Sequence, residues 1–181
     1  MRRMLSLLGV TIFVAAGALF GGTTQEDKAK EAAAKPVAPS RLDAIKKLSG
    51  EWVEIGEDGK PTDKVVAVYR TTAGGTVVEE TLFGGTPHEM VTMYYMDRDN
   101  LMLTHYCVAG NQPRMKAEKP TTDANKFVFH CDGGTNMKSE NDEHMHHATL
   151  VLVDGDHIQS EWLEFKDGKQ IMNASFKLAR K

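Results

Sequence analysis

The sequence predicts an all-β fold, an antiparallel up-and-down β-barrel of about ten strands preceded by one short helix. Helical periodicity ends near Gly50, and the residues after it form short apolar or alternating runs. Turn-forming segments such as 57–60, 97–100 and 166–169 separate these runs at hairpin spacing. No helical segment stands between the runs, which excludes a parallel sheet, and the short connections favour a barrel over a sandwich. The predicted strands are residues 52–55, 65–70, 76–83, 89–96, 101–108, 114–119, 126–131, 144–153, 158–165 and 170–178.

The first 22 residues have the pattern of a secretory signal peptide. Two arginines follow Met1, and an almost uninterrupted apolar stretch runs from residue 4 to residue 20. No cysteine lies near the end of this stretch, so a lipid-modified N-terminal cysteine is not available. We therefore expect a secreted or periplasmic protein with no stable membrane span after cleavage. An uncleaved anchor is the alternative, because the stretch is at the short end of what spans a bilayer.

Residues 23–40 predict a disordered linker, since they are polar and alanine-rich, include two prolines and lack aromatic side chains. Ser40 is a suitable N-cap for a short helix in which Leu42 and Ile45 recur at helical spacing. Residues 41–181 then form the barrel domain, at a length that is common for a single domain.

Composition excludes several classes of function. The 181 residues include 22 basic and 25 acidic ones, a net charge of -3, so no global positive field attracts nucleic acid. Two cysteines without a C-x-x-C spacing cannot form a four-cysteine zinc site or hold an iron–sulfur cluster alone. Phosphate-binding glycine loops and the Gly-x-Ser-x-Gly nucleophile motif are missing from the sequence. An enzyme is therefore disfavoured, and the sequence requires no cofactor.

Gly50, Trp52 and Arg180 form a recognisable pattern at the ends of the predicted barrel. The first two follow the short helix directly, and this arrangement resembles the Gly-x-Trp entry of the calycin superfamily, which includes lipocalins and fatty-acid-binding proteins. Arg180 resembles the arginine that packs across that tryptophan, a contact favoured by cation–π attraction. The segment 104–115 also resembles secreted bacterial proteins with the same small-barrel plan. The resemblance implies a lipocalin-like barrel, with a strand number nearer to the fatty-acid-binding branch.

Turn lengths predict which side chains share one face of the barrel wall. A loop at 97–100 pairs Thr92 with His105, and a loop at 109–112 pairs Cys107 with Arg114. Because side chains alternate across a strand, one face then carries seven candidate ligand-binding residues. These are Glu79, Thr92, Tyr94, His105, Arg114, Phe127 and Phe129, together with Cys107, Lys116 and Cys131. The other face carries Val78, Leu82, Val91, Met93, Tyr95, Thr104, Tyr106, Met115, Ala117 and Val128.

Two interpretations of these faces remain open. The apolar face can form the core, which leaves His105 and Arg114 in solvent. Alternatively, the mixed face lies inside, and Arg114 binds the carboxylate or polar head of a ligand between Phe127 and Phe129.

Cys107 and Cys131 form a candidate disulfide, because paired cysteines are usual in an oxidising compartment. The register places them two strands apart, about 9.6 Å, which exceeds the span of a disulfide unless the wall bulges. His144 and His146 lie on one face of a strand, at a spacing that zinc sites in sheets use, without an assignable third ligand. His105 with both cysteines is a second candidate metal set.

The sequence thus predicts an exported protein that binds a small hydrophobic or amphipathic ligand in a calycin-like barrel. The alternative is a barrel that binds metal or haem through His and Cys side chains, since one His can hold haem in some calycin barrels. An enzyme that acts on a small substrate in the cavity is the second alternative. Large apolar groups on both faces also allow a homodimer.

Overall fold

A computed structural model describes residues 40–120 and 122–181, which form a closed barrel of ten antiparallel strands. The strands neighbour one another in chain order, and the first pairs with the last. The elements are α1 (Arg41–Lys46), β1 (Gly50–Ile55), β2 (Pro61–Thr72), β3 (Val77–Leu82), β4 (Met90–Asp97), β5 (Asn100–Tyr106), β6 (Gln112–Ala117), β7 (Lys126–Thr135), β8 (His144–Leu152), β9 (His157–Lys166) and β10 (Lys169–Arg180). The predicted all-β barrel with one short helix is therefore confirmed.

The predicted signal peptide and all of the predicted linker except Ser40 lie outside the described residues. Within the part of the chain that is described, no helix has the length and apolar character needed to cross a membrane.

Helix α1 covers one end of the barrel. The Asp43 carboxylate accepts hydrogen bonds from the backbone N–H of Ser40 at 2.7 Å and from its hydroxyl at 3.1 Å, which fixes the first turn. Leu42 and Ile45 are buried in the barrel core, and the helix contacts β2, β3 and β4. On β7, the Phe127 ring lies 4.9 Å from the Arg41 guanidinium. The helix therefore reaches across this end, held mainly by apolar burial.

Arg180 closes the same end, in the arrangement that the calycin-like pattern implies. Its guanidinium lies 4.5 Å from the centroid of the Trp52 ring, which is fully buried. The guanidinium also donates hydrogen bonds, each 3.0 Å long, to two backbone carbonyls in the turn before β1. Gly50 has a φ of +131°, and a Cβ there would lie 3.3 Å from Arg180 Nη1. Glycine thus permits both the backbone conformation and the close approach of the guanidinium.

The strand register agrees with the prediction on β4 and differs from it on β6. Thr92 pairs with His105, as expected. Arg114, however, pairs with Thr104 instead of Cys107, a shift of three residues. The β5–β6 connection turns earlier than predicted, because the backbone N–H of Gly110 bonds the Cys107 carbonyl and Gly110 adopts a left-handed conformation. An odd shift moves every side chain of β6 to the other face of the wall.

A second difference lies between β6 and β7. Cys131 pairs with Met115 and not, as predicted, with Arg114. Strand β6 also has a bulge between Pro113 and Met115. The shift of one residue is already present at Ala117 and Phe129, beside the β6–β7 connection, so it arises in that connection and not in the bulge.

The barrel interior therefore combines the two faces that the sequence analysis kept apart. The mixed face contributes five of its predicted residues, and the apolar face contributes four. The buried members are Thr92, Tyr94, His105, Phe127 and Phe129 from the first, and Val78, Leu82, Met115 and Ala117 from the second.

We expect Arg180→Ala to lower the free energy of unfolding by about 2 kcal/mol. The substitution removes the cation–π contact and leaves backbone carbonyls without their donor. Arg180→Lys should recover only a minor part, because an ammonium group lacks the planar fork of donors. Urea unfolding followed by tryptophan fluorescence measures both variants.

Arg70→Ala is the matched control, since Arg70 forms an exposed ion pair with Glu79 at 2.9 Å. Removing such a pair should cost under about 1 kcal/mol. Equal losses in the Arg180 and Arg70 variants would contradict the closing role of Arg180.

Candidate functional site

A cavity of about 420 Å³ lies toward the barrel end opposite α1. Its volume is in the range of small-molecule sites. The wall comes from the ends of β3, β5 and β9 and from the first parts of β4, β8 and β10. Most of the lining is apolar and includes Leu82, Phe83, Met90, Met145, Trp162 and Phe176. This part of the interior thus offers an apolar volume that the core does not fill.

Apolar side chains continue to the mouth of the cavity. Val108 and Met172 line it while remaining 57% and 39% exposed. Apolar surface left in water around a concave site is typical of ligand-binding grooves. An apolar occupant would therefore gain contact at the mouth as well as inside.

His105 supplies the polar group in the buried part of the lining. Its side chain is 1% exposed, and its ring lies 4.7 Å from the Trp162 ring, centroid to centroid. The Nδ1 atom is 3.0 Å from the Thr92 hydroxyl oxygen. The Nε2 atom is buried and has no hydrogen-bond partner among the described residues. An unpaired buried polar atom costs about 1–3 kcal/mol, so Nε2 marks a place for a ligand group.

Behind His105 lies a buried carboxylate, that of Glu80, which is 1% exposed. Its two oxygens accept hydrogen bonds from the hydroxyls of Tyr69 at 2.5 Å and Tyr94 at 2.8 Å. The Thr92 hydroxyl forms a third hydrogen bond to it. Burial raises the pKa of Glu80, and the three hydrogen bonds oppose this shift. Burial also raises the pKa of both tyrosines well above the usual value, so their phenols stay protonated and donate.

This hydrogen-bond chain assigns the proton of the His105 imidazole. Since the Thr92 hydroxyl donates to the Glu80 carboxylate, its oxygen accepts from Nδ1–H of His105. Nε2 then carries a lone pair. Burial lowers the pKa of His105 to about 4, so the imidazole is neutral at neutral pH. The deep end of the cavity is therefore a hydrogen-bond acceptor.

The charged groups near the mouth are acidic. Glu143 and Glu164 line the cavity, and burial and the charge of Glu143 both raise the pKa of Glu164. Lys166 pairs with Glu143 at 3.3 Å but does not line the cavity. Among the described residues that form the lining, none is lysine or arginine. The electrostatic potential thus favours a neutral or cationic ligand over an anionic one.

Two of the predicted ligand-binding residues lie on the outer face of the barrel wall. Arg114 is half-exposed on the outer face of β6 and pairs with Asp132 at 3.2 Å, whereas the second interpretation of the two faces placed it inside the barrel. Glu79 pairs with Arg70, and its neighbour Glu80 takes the inward position. The physical reasons are the three-residue register shift at β6 and an alternation on β3 opposite to the expected one.

Glu80 and Trp162 are the main site residues that the sequence analysis missed. A signal for Glu80 exists, because it has Val78 and Leu82 at i±2 while Glu79 has Val77 and Thr81. A carboxylate that shares its alternation with large apolar residues is expected to face inward. Trp162 falls on β9, for which no register was predicted.

Phe127 and Phe129 are buried in the core but do not line this cavity, and neither do Thr92 and Tyr94. Of the seven predicted ligand-binding residues, His105 is the one in the lining. Thr92 and Tyr94 support it through the Glu80 network.

Both cysteines are free thiols in the structure. Cys107 lines the cavity just after β5, whereas Cys131 lies on β7, and β6 separates the two strands. This separation agrees with the geometric argument against a Cys107–Cys131 disulfide. It also separates Cys131 from His105 and Cys107 in the second candidate metal set.

His144 and His146 approach each other and Cys131 where β7 and β8 stop pairing. One potential ligand atom from each of the three lies within 4.8 Å of the others. The expected pair of histidines thus acquires a third donor that the sequence analysis had placed in a different set.

Comparison of the sequence with protein-family models finds no match, and comparison with curated proteins finds none at a significant level. The site is therefore interpreted from its own geometry.

We expect Glu80→Gln to lower the free energy of unfolding by about 2 kcal/mol, because the amide NH₂ places a donor against the hydroxyl donors that the carboxylate accepts. Thermal and urea unfolding measure the loss. Glu79→Gln is the matched control and should change stability by under about 1 kcal/mol, since Glu79 contributes a partly exposed ion pair. A larger loss at Glu79 than at Glu80 would contradict the observed alternation of β3.

We expect His105 to make stability depend on pH between 6.5 and about 4. Its pKa is lower in the folded state than in the unfolded chain, so the unfolded chain binds the proton first as the pH falls. The stability contributed by neutral His105 is complete above the unfolded pKa and is lost as the pH falls toward the folded pKa. The full span corresponds to about 3 kcal/mol.

Urea unfolding of the wild type and of His105→Gln at several pH values measures this effect. The wild type should lose stability relative to the variant as the pH is lowered, while the contribution of Glu80 is common to both. Parallel pH curves for the two proteins would be the contrary result.

Proposed function

We propose that the protein is an exported, calycin-like carrier that binds a small, largely apolar molecule through a hydrogen-bond donor on that molecule. The observation that supports this most directly is the unpaired Nε2 lone pair of His105 in an apolar cavity of about 420 Å³. A ligand hydroxyl or N–H group would satisfy the nitrogen, and the remainder of the ligand would replace water against the aromatic and aliphatic wall.

The chemistry of the lining selects among polar head groups. A fatty carboxylate would meet a hydrogen-bond acceptor at the deep end and two glutamates near the mouth. It would also lose its hydration without a lysine or arginine partner in the lining, which is costly for a charge. An alcohol, a phenol or an amine carries the donor that His105 accepts. The proposed ligand class is therefore apolar molecules with a neutral or cationic donor group.

The calycin assignment is supported by the ten-stranded closed barrel and by the contact of Arg180 with Trp52. Export is supported by the basic and apolar N-terminal pattern of the sequence. Expression of the full chain in a bacterial host tests export, because the protein recovered from the periplasm should lack the mass of about the first 22 residues.

Competition for a fluorescent probe tests the ligand class. The exported protein is titrated with N-phenyl-1-naphthylamine, an apolar fluorophore with one N–H group, and the bound probe is displaced with decanol or decanoate. At neutral pH we expect decanol to displace the probe at a concentration at least about tenfold lower than decanoate, because the lining offers the carboxylate two glutamates and no lysine or arginine.

Two variants separate the His105 site from the earlier carboxylate hypothesis. His105→Leu removes the acceptor and should weaken decanol binding about tenfold, the equivalent of one hydrogen bond. Arg114→Ala should leave binding unchanged, because Arg114 lies on the outer face. Preferential binding of decanoate, or equal decanol affinity in His105→Leu and the wild type, would overturn the proposal. A Soret band in the isolated protein would instead favour the haem-binding alternative.

A further inference from the structure

Four of the seven histidines gather on one side of β7 and β8, away from the cavity. The rings of His144, His146 and His147 contact one another in sequence, and His130 contacts His147 across the strand pair with centroids 4.7 Å apart. Met145 lines the cavity, so by alternation its two neighbours on β8 point to the opposite side of the wall. Phe165 of β9 packs against His146 there, with centroids 4.7 Å apart.

A local break in strand pairing brings a thiol to this cluster. The last pair of β7 and β8 is His130 with His147, and β8 has a bulge between Met145 and His147. Cys131 and His146 are the next residues on their strands, where the two backbones are free to separate. A β-bulge commonly redirects a side chain at such a point.

We propose that Cys131, His144 and His146 bind one divalent transition-metal ion of the zinc class, through one thiolate and two imidazole nitrogens. In a tetrahedral zinc site, sulfur and nitrogen donors lie about 3.5 Å apart and two nitrogen donors about 3.3 Å apart. The three donor atoms here lie within 4.8 Å of one another. Movement of about 1 Å along the side chains therefore suffices to form the site, and the Cys131 thiol proton passes to solvent.

The hydrogen bonds of the two histidines support this assignment. The Nδ1–H group of His144 donates to the Asp142 carbonyl at 2.6 Å, which leaves its Nε2 as the atom with a lone pair. Metal-binding histidines are commonly held by such a second hydrogen bond. Nε2 of His144 and Nδ1 of His146 lie 2.9 Å apart and share one proton between them. When the His146 proton is on Nε2, both of these nitrogens have a free lone pair, and the two lone pairs can bind one cation.

Burial also favours a bound ion over a solvated cluster. His144 is fully buried and Cys131 and His146 are partly buried, so the donors are desolvated and positioned before a metal arrives. Three protein ligands leave a fourth position for water or another small ligand, as in zinc sites that are not closed by the protein. Among the described residues, Glu140 is the carboxylate that interacts electrostatically with both Cys131 and His146, and its charge further attracts a cation.

Cobalt binding to the full-length exported protein, reduced and stripped of metal, tests the site. We expect one equivalent of Co²⁺ to produce the intense visible bands of tetrahedral cobalt and a near-ultraviolet sulfur-to-cobalt charge-transfer band. One equivalent of Zn²⁺ should displace the cobalt, because zinc prefers a tetrahedral site with thiolate and imidazole ligands. A chromogenic chelator gives the zinc affinity by competition.

Variants at the ligands have matched controls elsewhere in the chain. Cys131→Ser should abolish the charge-transfer band and weaken zinc binding at least about tenfold, and His146→Gln should weaken it by a similar factor. Cys107→Ser tests the other thiol, and His157→Gln tests an exposed histidine that pairs with Asp154 at 2.9 Å. Both controls should bind zinc like the wild type, and circular dichroism checks that each variant is folded.

The proposal is overturned if the wild type binds no stoichiometric zinc, or if cobalt binds without the sulfur band. The second result would indicate coordination by histidines alone. Retention of wild-type zinc affinity by a folded Cys131→Ser variant would overturn it as well. None of these results depends on decanol binding, so the metal site and the cavity are tested separately.

Discussion

The buried carboxylate of Glu80 is the constraint on which the barrel interior depends. A carboxylate that is 1% exposed must have its oxygens satisfied by donors, and the hydroxyls of Tyr69, Tyr94 and Thr92 supply them from β2 and β4, the two strands beside β3. The Thr92 hydroxyl can donate only one proton, so its oxygen accepts from His105. One inward acid on β3 thus determines which imidazole nitrogen of β5 faces the ligand cavity with a lone pair. The site is built outward from the core, since His105 lines the cavity while Glu80, which orients it through Thr92, does not.

Strand β8 has a different chemical character on each side of the barrel wall. Met145 lies in the cavity, while His144 and His146 point to the cluster with Cys131. Regular alternation accounts for this division, and the bulge after Met145 accounts for the crowding of His144, His146 and His147, whose rings make two contacts in sequence. Because a side chain can reach only one face, a substitution in the cluster leaves the cavity lining in place. The apolar site and the thiol–imidazole site therefore lie on opposite sides of the wall although their residues alternate along one strand.

The fold follows the sequence most closely where a single local rule decides the outcome. Ten alternating runs between turn signals gave ten strands, and a short loop at 97–100 gave the pairing of Thr92 with His105. The structure differs from the prediction at β6, where the composition of the loop does not determine the position of the turn. The β5–β6 loop closes earlier than its composition indicates, through a left-handed Gly110, and an odd shift reversed the face assigned to Arg114. The triad of Cys131, His144 and His146 depends on a bulge and on the end of a strand pair, which no one-dimensional pattern in a single sequence encodes.

The position of the cavity follows from the way the two barrel ends differ. At one end, Leu42 and Ile45 of α1 fill the interior, and Arg180 covers Trp52, so apolar burial and hydrogen bonds are both satisfied there. No helix covers the connections between strands at the other end, and Val108 and Met172 remain exposed around the opening. A barrel closed at both ends would bury its lining completely and leave His105 Nε2 with no access to a partner. Closure at one end supplies the stability that permits an unfilled apolar volume, and an unpaired acceptor, at the other.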